Sequence, residues 1–435
     1  MTEQMNVPKL RFGEFVDSWS SSSLLELGDR TRGAVKAGPF GSALKKEFYV
    51  ESGYKIYGQE QVISSDPYMG DYYINKEKFD SLKSCAVVPG DILVSLVGTI
   101  GRVLIIPEGA EEGIINPRLL RISLANDKVE PFFIKHYLGR NQTVNKLESW
   151  SQGGTMGVLN AAIFKMLPVI HPSLLEQQKI ASFLSKVDEK IALLTEKKDK
   201  LTEYKKGVMQ QLFNGKWEEQ DGQLNFIPPT LRFKADDGSE FPDWEERKLG
   251  ELGQFKNGLN KGKEDFGFGS PFVNLQDVFG KQVISSTSNL GLVNASDKDI
   301  DLYQLLKGDV IFIRSSVKKS GVGETALVEK NLVKTVYSGF LIRFRSNTDL
   351  TDNYKKYCFW EKRFRNKLIA MSTTSANTNI NQESLSQLTI PCPSQDEQTK
   401  IANFLSSIDQ KIDLVSSELE KTKEWKKGLL QQMFV

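Results

Sequence analysis

One long segment of this chain occurs twice. Pro172 to Phe213 aligns without a gap on Pro393 to Phe434, so Ile180 falls on Ile401, 221 residues later, and roughly half of the paired positions are identical. Solenoid repeats recur every 20 to 50 residues or so, far more often than this. A period of this length means that a whole domain was duplicated together with the segment that follows it.

The halves before these segments also match, less evenly. Pro8 and Leu10-Arg11-Phe12 recur as Pro229 and Leu231-Arg232-Phe233, and Trp19 with Glu26-Leu27-Gly28 recurs as Trp244 with Glu251-Leu252-Gly253. Gly90-Asp91-Ile92 answers to Gly308-Asp309-Val310, and Leu159-Asn160 to Ile380-Asn381. Small insertions therefore separate the two halves, whereas the repeated segment carries none.

Each repeated segment reads as one long helix. Ser173-Leu-Leu-Glu176 and Ser394-Gln-Asp-Glu397 have the spacing of a capping box, each behind a proline. Apolar residues then alternate by four and three: Ile180, Leu184, Val187, Ile191, Leu194, Leu201, Val208, Leu212, and Ile401, Leu405, Ile408, Ile412, Val415, Leu419, Leu429, Met433. This 3.5-residue period marks a coiled-coil seam. Charged runs such as Lys197 to Lys200 leave only a narrow stripe to bury. Helices of about 40 residues extend roughly 60 Å, and chain connectivity favours antiparallel pairing, because the second helix then begins where the first ends. Gly207 and Gly428, each inside Lys-Lys-Gly, predict a close backbone approach, either to the opposite helix or to another subunit.

The halves read as mixed α/β. Gly90-Asp91 and Gly308-Asp309 are turns into apolar strands, strand-like runs follow at 103–106 and 341–344, and helical segments at 131–147 and 353–369. At 435 residues, with 39% hydrophobic and 26% charged residues, the chain can bury two cores. It holds no apolar run of membrane-spanning length and no signal-peptide pattern, so a cytoplasmic protein with no membrane partner is expected. Cys85, Cys358 and Cys392 are odd in number and scattered, which predicts three reduced thiols. A net charge of +2 neither announces nor excludes a nucleic-acid partner.

The connecting loops carry Gly, Ser, Thr, Asn, Gln and basic residues at corresponding places in both halves, with different residues in each. Such side chains suit double-stranded DNA, since amides and Arg bond base edges while Lys, Ser and Thr engage phosphates. The candidates in the first half are Lys36, Ser42, Gln59, Gln61, Thr99, Arg102, Asn116, Arg118 and Thr155. In the second they are Lys256, Asn257, Asn260, Lys261, Lys263, Arg314, Ser315, Ser316, Lys318, Lys319, Thr373, Thr374, Asn377 and Asn379.

Catalytic patterns are wanting. Asp66-Pro67-Tyr68 is one proline short of an amino-methyltransferase motif, and Gly258 to Lys263 lacks the spacing of a phosphate loop. With only His136 and His171, neither a zinc site nor a histidine triad is expected. No catalytic residue and no metal is assigned.

The twice-occurring pattern Pro-x-x-x-Glu-Gln-x-x-Ile-Ala-x-x-Leu, as Pro172 to Leu184 and Pro393 to Leu405, resembles the specificity subunit of type I restriction-modification enzymes over essentially the whole chain. Gly98-Thr-Ile-Gly101 and Gly38-Pro-Phe-Gly-Ser42 are also family-like, while the second half has Ser320-Gly-Val-Gly323 and no Gly-Pro-Phe-Gly. The resemblance implies an α+β fold: two pseudo-twofold-related mixed α/β target-recognition domains separated by a long antiparallel two-helix coiled coil. The boundaries are domain 1 at 1–165, helix 1 at 166–216, a linker at 217–228, domain 2 at 229–386 and helix 2 at 387–435. It further implies a noncatalytic DNA-reading subunit working with two methyltransferase subunits and, for cleavage, two restriction subunits. No cofactor is expected in this chain; S-adenosylmethionine, ATP and Mg belong to the partners. Glu176, Gln177, Lys205, Lys206, Gly207, Glu397, Gln398, Lys426, Lys427 and Gly428 are the expected methyltransferase-facing residues. The competing reading is a coiled-coil scaffold whose end domains bind proteins.

Overall fold

The computed structural model describes residues 7–96, 102–125, 127–152, 160–220, 223–374 and 377–435. The chain forms two compact units, Met1–Glu196 with Ser416–Val435, and Lys197–Val415. Both unit boundaries fall inside the long helices, Leu174–Leu212 and Gln395–Gln432. Each unit thus contains the start of one helix and the end of the other. No helix among the described residues is long and apolar enough to cross a membrane.

In the first unit an antiparallel sheet runs Val35–Ala37, Leu119–Ile122, Ile92–Ser95, Val103–Ile105. Successive side chains of a strand point to opposite faces, so this sheet serves two cores. Ile92, Val94, Leu120 and Ile122 pack with Phe133, Ile134 and the helix residues Ile180 and Leu184, whereas Leu93, Leu104 and Leu119 pack with Ile56, Tyr57 and Ile114 of a second, five-stranded sheet.

The second unit repeats the plan. Its sheet runs Gly253–Asn257, Leu341–Ser346, Val310–Ile313, Thr325–Val328, with Val283–Ile284 added at the edge. Val310, Phe312, Ile342 and Phe344 face the core shared with Ile401 and Leu405, while Ile311, Ile313 and Leu341 face the other side. Entry to the central strand is the same in both copies: Gly90 and Gly308 take φ of 87° and 88°, a region only glycine enters freely. The aspartate that follows closes the turn, Asp91 accepting from Val88 N and Asp309 from Leu306 N, both at 2.8 Å. Arg32 and Arg345 hold these carboxylates from outside the turn.

Several elements differ from the sequence reading. The first residues assigned to the helices form strands instead, Pro168–His171 pairing with Ser20–Ser23 and Thr389–Cys392 with Glu245–Lys248. Residues 217–220 and 223–227 of the expected linker form paired strands instead, within Lys216–Gln220 and Gln223–Ile227. The helix read at 131–147 is two, Pro131–Gly139 and Asn141–Gln152, interrupted at Arg140, whose backbone is extended. Likewise 353–369 divides into Asp352–Cys358 and Lys362–Met371.

Helix pairing is antiparallel within each unit. In the first, Phe183 meets Trp425 edge to face at 6.0 Å and Lys190 pairs with Glu418 at 2.9 Å, so one number rises as the other falls. In the second, Val208 and Leu212 share a core with Ile401, Leu405 and Ile408. The seam residues read from the sequence are buried or half-buried throughout.

Candidate nucleic-acid interface and partner surface

In the first unit the candidate loops converge on Asn116. Its N–H donates to Tyr57 O at 2.8 Å, and its side-chain oxygen accepts from Arg118 N at 2.9 Å. Gly38 lies so close to the Asn116 carbonyl that an added Cβ would come within 1.8 Å of it. Gln59 donates to Ser95 Oγ at 2.9 Å, and Ser95 N donates to Arg102 O at 3.1 Å. Gln59, Asn116, Arg102 and Arg118 are therefore brought to one end of the sheet, with Arg102, Arg118 and Ser42 exposed, while Lys36 lies on the edge strand opposite Arg121. Gln61 is not available. It is buried, accepting from Gly58 N and donating to Met69 O, because it caps its own short helix. Thr99 and Thr155 lie outside the described residues.

In the second unit two loops far apart in sequence form one small sheet. Ser315 pairs with Asn379 and Ser316 with Thr378, while Thr373 and Thr374 pair with Asn379 and Thr378 from the other side. Arg314 ties this sheet to the next loop, donating to Gly339 O at 3.3 Å, and an added Cβ on Gly339 would meet Asn260 Oδ1 at 1.9 Å. Lys318, Lys319, Thr373, Thr374, Asn377 and Asn260 are exposed around it. Lys256 and Asn257 sit on the adjoining strand. Lys261 is engaged by Asp299 at 3.0 Å, the contact that most lowers the Asp299 pKa, and Lys263 is exposed in the following turn.

Both clusters hang on the same backbone bonds. Gly38 N to Leu119 O is matched by Gly258 N to Leu341 O, Asn116 N to Tyr57 O by Ser338 N to Val273 O, Leu96 N to Arg118 O by Arg314 N to Phe340 O, and Ser95 N to Arg102 O by Ile313 N to Glu324 O. On this common frame the side chains have changed: Asn116 corresponds to Ser338, Arg118 to Phe340, Leu96 to Arg314 and Arg102 to Glu324. The backbone frame is common to the two units, and the side-chain chemistry it presents is not.

The residues expected to face a methyltransferase divide into two groups. Glu176 and Glu397 are buried, the former held by Arg11 through two contacts of 2.7 Å, the latter by Arg232 and by Trp244 Nε1 at 2.8 Å. Their carboxylates turn to these arginines instead of completing capping boxes. Gln177 and Gln398 are equally buried, accepting from Glu130 N and Thr351 N and donating to Pro172 O and Pro393 O. These four side chains offer no surface to a partner. A buried carboxylate without its arginine would be strongly destabilising, so a folding requirement explains their repetition.

Lys205 and Lys426 are engaged within the chain as well. Lys205 pairs with Asp409, which also accepts from Tyr357 Oη at 2.8 Å and faces Lys356 at 3.3 Å. At the matching positions of the first unit, Lys426 pairs with Asp188, and His136 Nε2 lies 4.0 Å from the same carboxylate. Burial raises the Asp409 pKa, but Lys205, Tyr357 and Lys356 together bring it below its ordinary value. Burial pushes His136 down to about 4, with nearby Lys426 and Lys135 adding to the effect against Asp188. Asp188 and Asp409 were given no role from the sequence; their 221-residue spacing, matching that of the lysines, was the available signal.

What remains exposed on the repeat is Lys206 with Gln210 and Gln211, and Lys427 with Gln431 and Gln432. An added Cβ on Gly207 or Gly428 meets nothing within 4 Å, so these glycines face open space and not the opposite helix. A cavity of about 450 Å³ beside the first-unit copy is lined by Lys9, Arg140, Lys423, Lys426 and Lys427. The matching cavity of the second unit, about 640 Å³, is lined by Gly207, Gln210, Gln211, Lys362, Arg363 and Lys367.

Comparison with known proteins agrees with this organisation. The family model of the type I restriction modification DNA specificity domain matches residues 40–203 and again 242–424. A putative type I restriction enzyme MjaX specificity subunit of Methanocaldococcus jannaschii is 24% identical, across 98% of this chain and 95% of the relative. The type I restriction enzyme EcoKI specificity subunit of Escherichia coli K12 is 23% identical, across 72% of this chain and 64% of the relative. In fold, the chain is similar to the crystal structure of a type I restriction-modification S subunit from M. genitalium, with a TM-score of 0.55 at 16% identity over 99% of both chains. A chain from a structural study of assembly and conformational transition of the type I system gives 0.56 at 16% identity, over 96% of this chain and 97% of that one. Two matches of the family model account for most of the sequence, and the chain belongs to the type I restriction-modification DNA specificity family.

Proposed function

We propose that this chain is the noncatalytic subunit that selects the DNA target of a type I restriction-modification complex, each unit reading one half of an asymmetric, bipartite sequence. The observation that carries this reading is the common backbone frame with exchanged side chains. Two readers of one repeated half-site would have kept the same side chains; two readers of different half-sites keep only the frame. Methylation of adenine, with S-adenosylmethionine, and ATP- and Mg-dependent cleavage would then be the work of methyltransferase and restriction subunits. The exposed Lys206-Gly207 and Lys427-Gly428 segments, with their basic cavities, are the proposed methyltransferase contacts, and their near-identity suits two copies of one partner.

The test is domain exchange in the assembled methyltransferase. Replacing residues 1 to 165 with the equivalent part of a relative should change one half of the methylated sequence and leave the other, as read by mapping methylated adenines in host DNA. Simultaneous change of both halves would overturn the two-reader assignment. Absence of any sequence-dependent DNA binding by the complex would favour a protein-binding scaffold instead.

A further inference from the structure

Within the shared frame, one pair of positions has exchanged an aromatic ring for a polar group. In the first unit Gly38 leads to Phe40 and Asn116 leads to Arg118; at the corresponding places of the second, Gly258 leads to Asn260 and Ser338 leads to Phe340. Each reader therefore presents a phenyl ring beside a polar partner, but from opposite sides of the frame. Phe40 is 89% exposed, more than any other large apolar side chain of its unit among the described residues, and Phe340 is 57% exposed.

Both rings stand on fixed backbone. Pro39 and Leu44 are buried on either side of Phe40, whose carbonyl accepts from Ala43 N at 2.8 Å. Phe340 accepts from Arg314 N at 2.9 Å and donates to Ser338 Oγ at 3.3 Å. Single exposed apolar residues are common on protein surfaces. Here the ring recurs in both readers, from chain positions that do not correspond, amid side chains whose chemistry is hydrogen bonding. An aromatic ring gains by leaving water, and the apolar interior that a duplex offers is its base stack.

We propose that Phe40 and Phe340 are stacking residues, each entering between base pairs of the half-site its own unit reads. Side-chain wedges of this kind unstack a step and deform the duplex, which makes the energy of binding depend on the sequence at that step. The proposal rests on the DNA-reading function above. It adds that part of the specificity of each half-site comes from how readily one step opens, beyond direct bonds to base edges.

The experiment uses the chain assembled with its methyltransferase and duplexes carrying 2-aminopurine at successive positions of each half-site, excluding the adenines that are methylated. The parent complex should brighten the probe at one step in each half. Phe40→Ala should abolish the signal in the first half only, Phe340→Ala in the second only, each with about tenfold weaker DNA binding. Phe40→Trp should keep both signal and affinity. Site-specific binding by the parent without brightening, or alanine variants that brighten as the parent does, would overturn the stacking role while leaving the DNA-reading function intact. A parent complex with no site-specific binding would overturn both.

Discussion

Lys205 of the first long helix lies 2.5 Å from Asp409 of the second, and the equivalent contact of the other unit joins Lys426 to Asp188. A lysine from the end of one helix thus meets an aspartate near the start of the other, once in each unit. Apolar seams alone tolerate sliding by a heptad, because each a and d position resembles the next. A charge partly removed from water does not tolerate it, since every other register leaves the aspartate beside the wrong group.

Removing the carboxylate should therefore loosen the second unit. Asp409→Ala leaves Lys205 and Lys356 without their acceptor and Tyr357 without its bond, and a loss of about 1 to 3 kcal/mol is expected. Denaturant titration followed by Trp fluorescence would read it. An unchanged midpoint would show the contact to be ornamental.

The two units should respond differently to acid. Tyr357 of the second corresponds to His136 of the first, and burial holds that imidazole at about 4 against an ordinary 6.5. Below pH 6.5 the unfolded chain takes up a proton that the folded unit refuses, so stability falls as pH drops from about 6.5 to about 4. The full difference is of the order of 3 kcal/mol. His136→Tyr should flatten this window, measured by hydrogen exchange of the helix Pro131–Gly139. Asp409, lowered from 3.8, adds a loss only below that pH.

Buried and exposed members of the repeated motif should separate in mutation. Glu397→Ala strands Arg232 and Trp244 in a closed site and is expected to cost about 3 to 5 kcal/mol, visible as lost soluble protein. Lys206→Glu with Lys427→Glu should leave the melting temperature nearly unchanged and weaken capture of the methyltransferase. Normal assembly of this double variant would remove the exposed repeat from the proposed contacts.

Arg314 and Lys319 should differ in kind. Arg314 sits between the small sheet and the Gly339 loop, so Arg314→Ala should relax preference at one position of the second half-site by about 1 to 3 kcal/mol. Lys319→Ala should weaken binding to all sequences alike and reduce the salt slope by about one. Measured alone, the chain should bind weakly with a shallow slope, because its net charge is only +2. Tight binding without partners would contradict this.

Duplication, the long helices and their seam could be read without a structure because they are periodic: position i predicts i+3, i+4 and i+221, and the burial of Ile180 or Leu405 follows. The Gly-Asp turns were legible for the same local reason, since Gly90 and Gly308 supply a backbone angle that the turn requires. Repeated polar residues are a different case. Repetition says that a residue is needed in both copies, and Glu176, Gln177, Glu397 and Gln398 are needed inside.

Only the tertiary structure decided which side chains remain free for DNA or a partner. Gln61 and Arg118 look alike as loop residues, yet one closes a helix turn and the other stands in solvent. Ser316 and Thr378 become neighbours through strand pairing across more than sixty residues of sequence, as their register shows. Phe40 and Phe340 stand on opposite sides of the shared frame, where the corresponding positions of the other unit are Asn260 and Arg118. The sequence by itself determined the two-copy architecture, because helix and strand periods are written locally. Folding determined the interface, because exposure and proximity depend on hydrogen bonds between residues that the chain holds far apart.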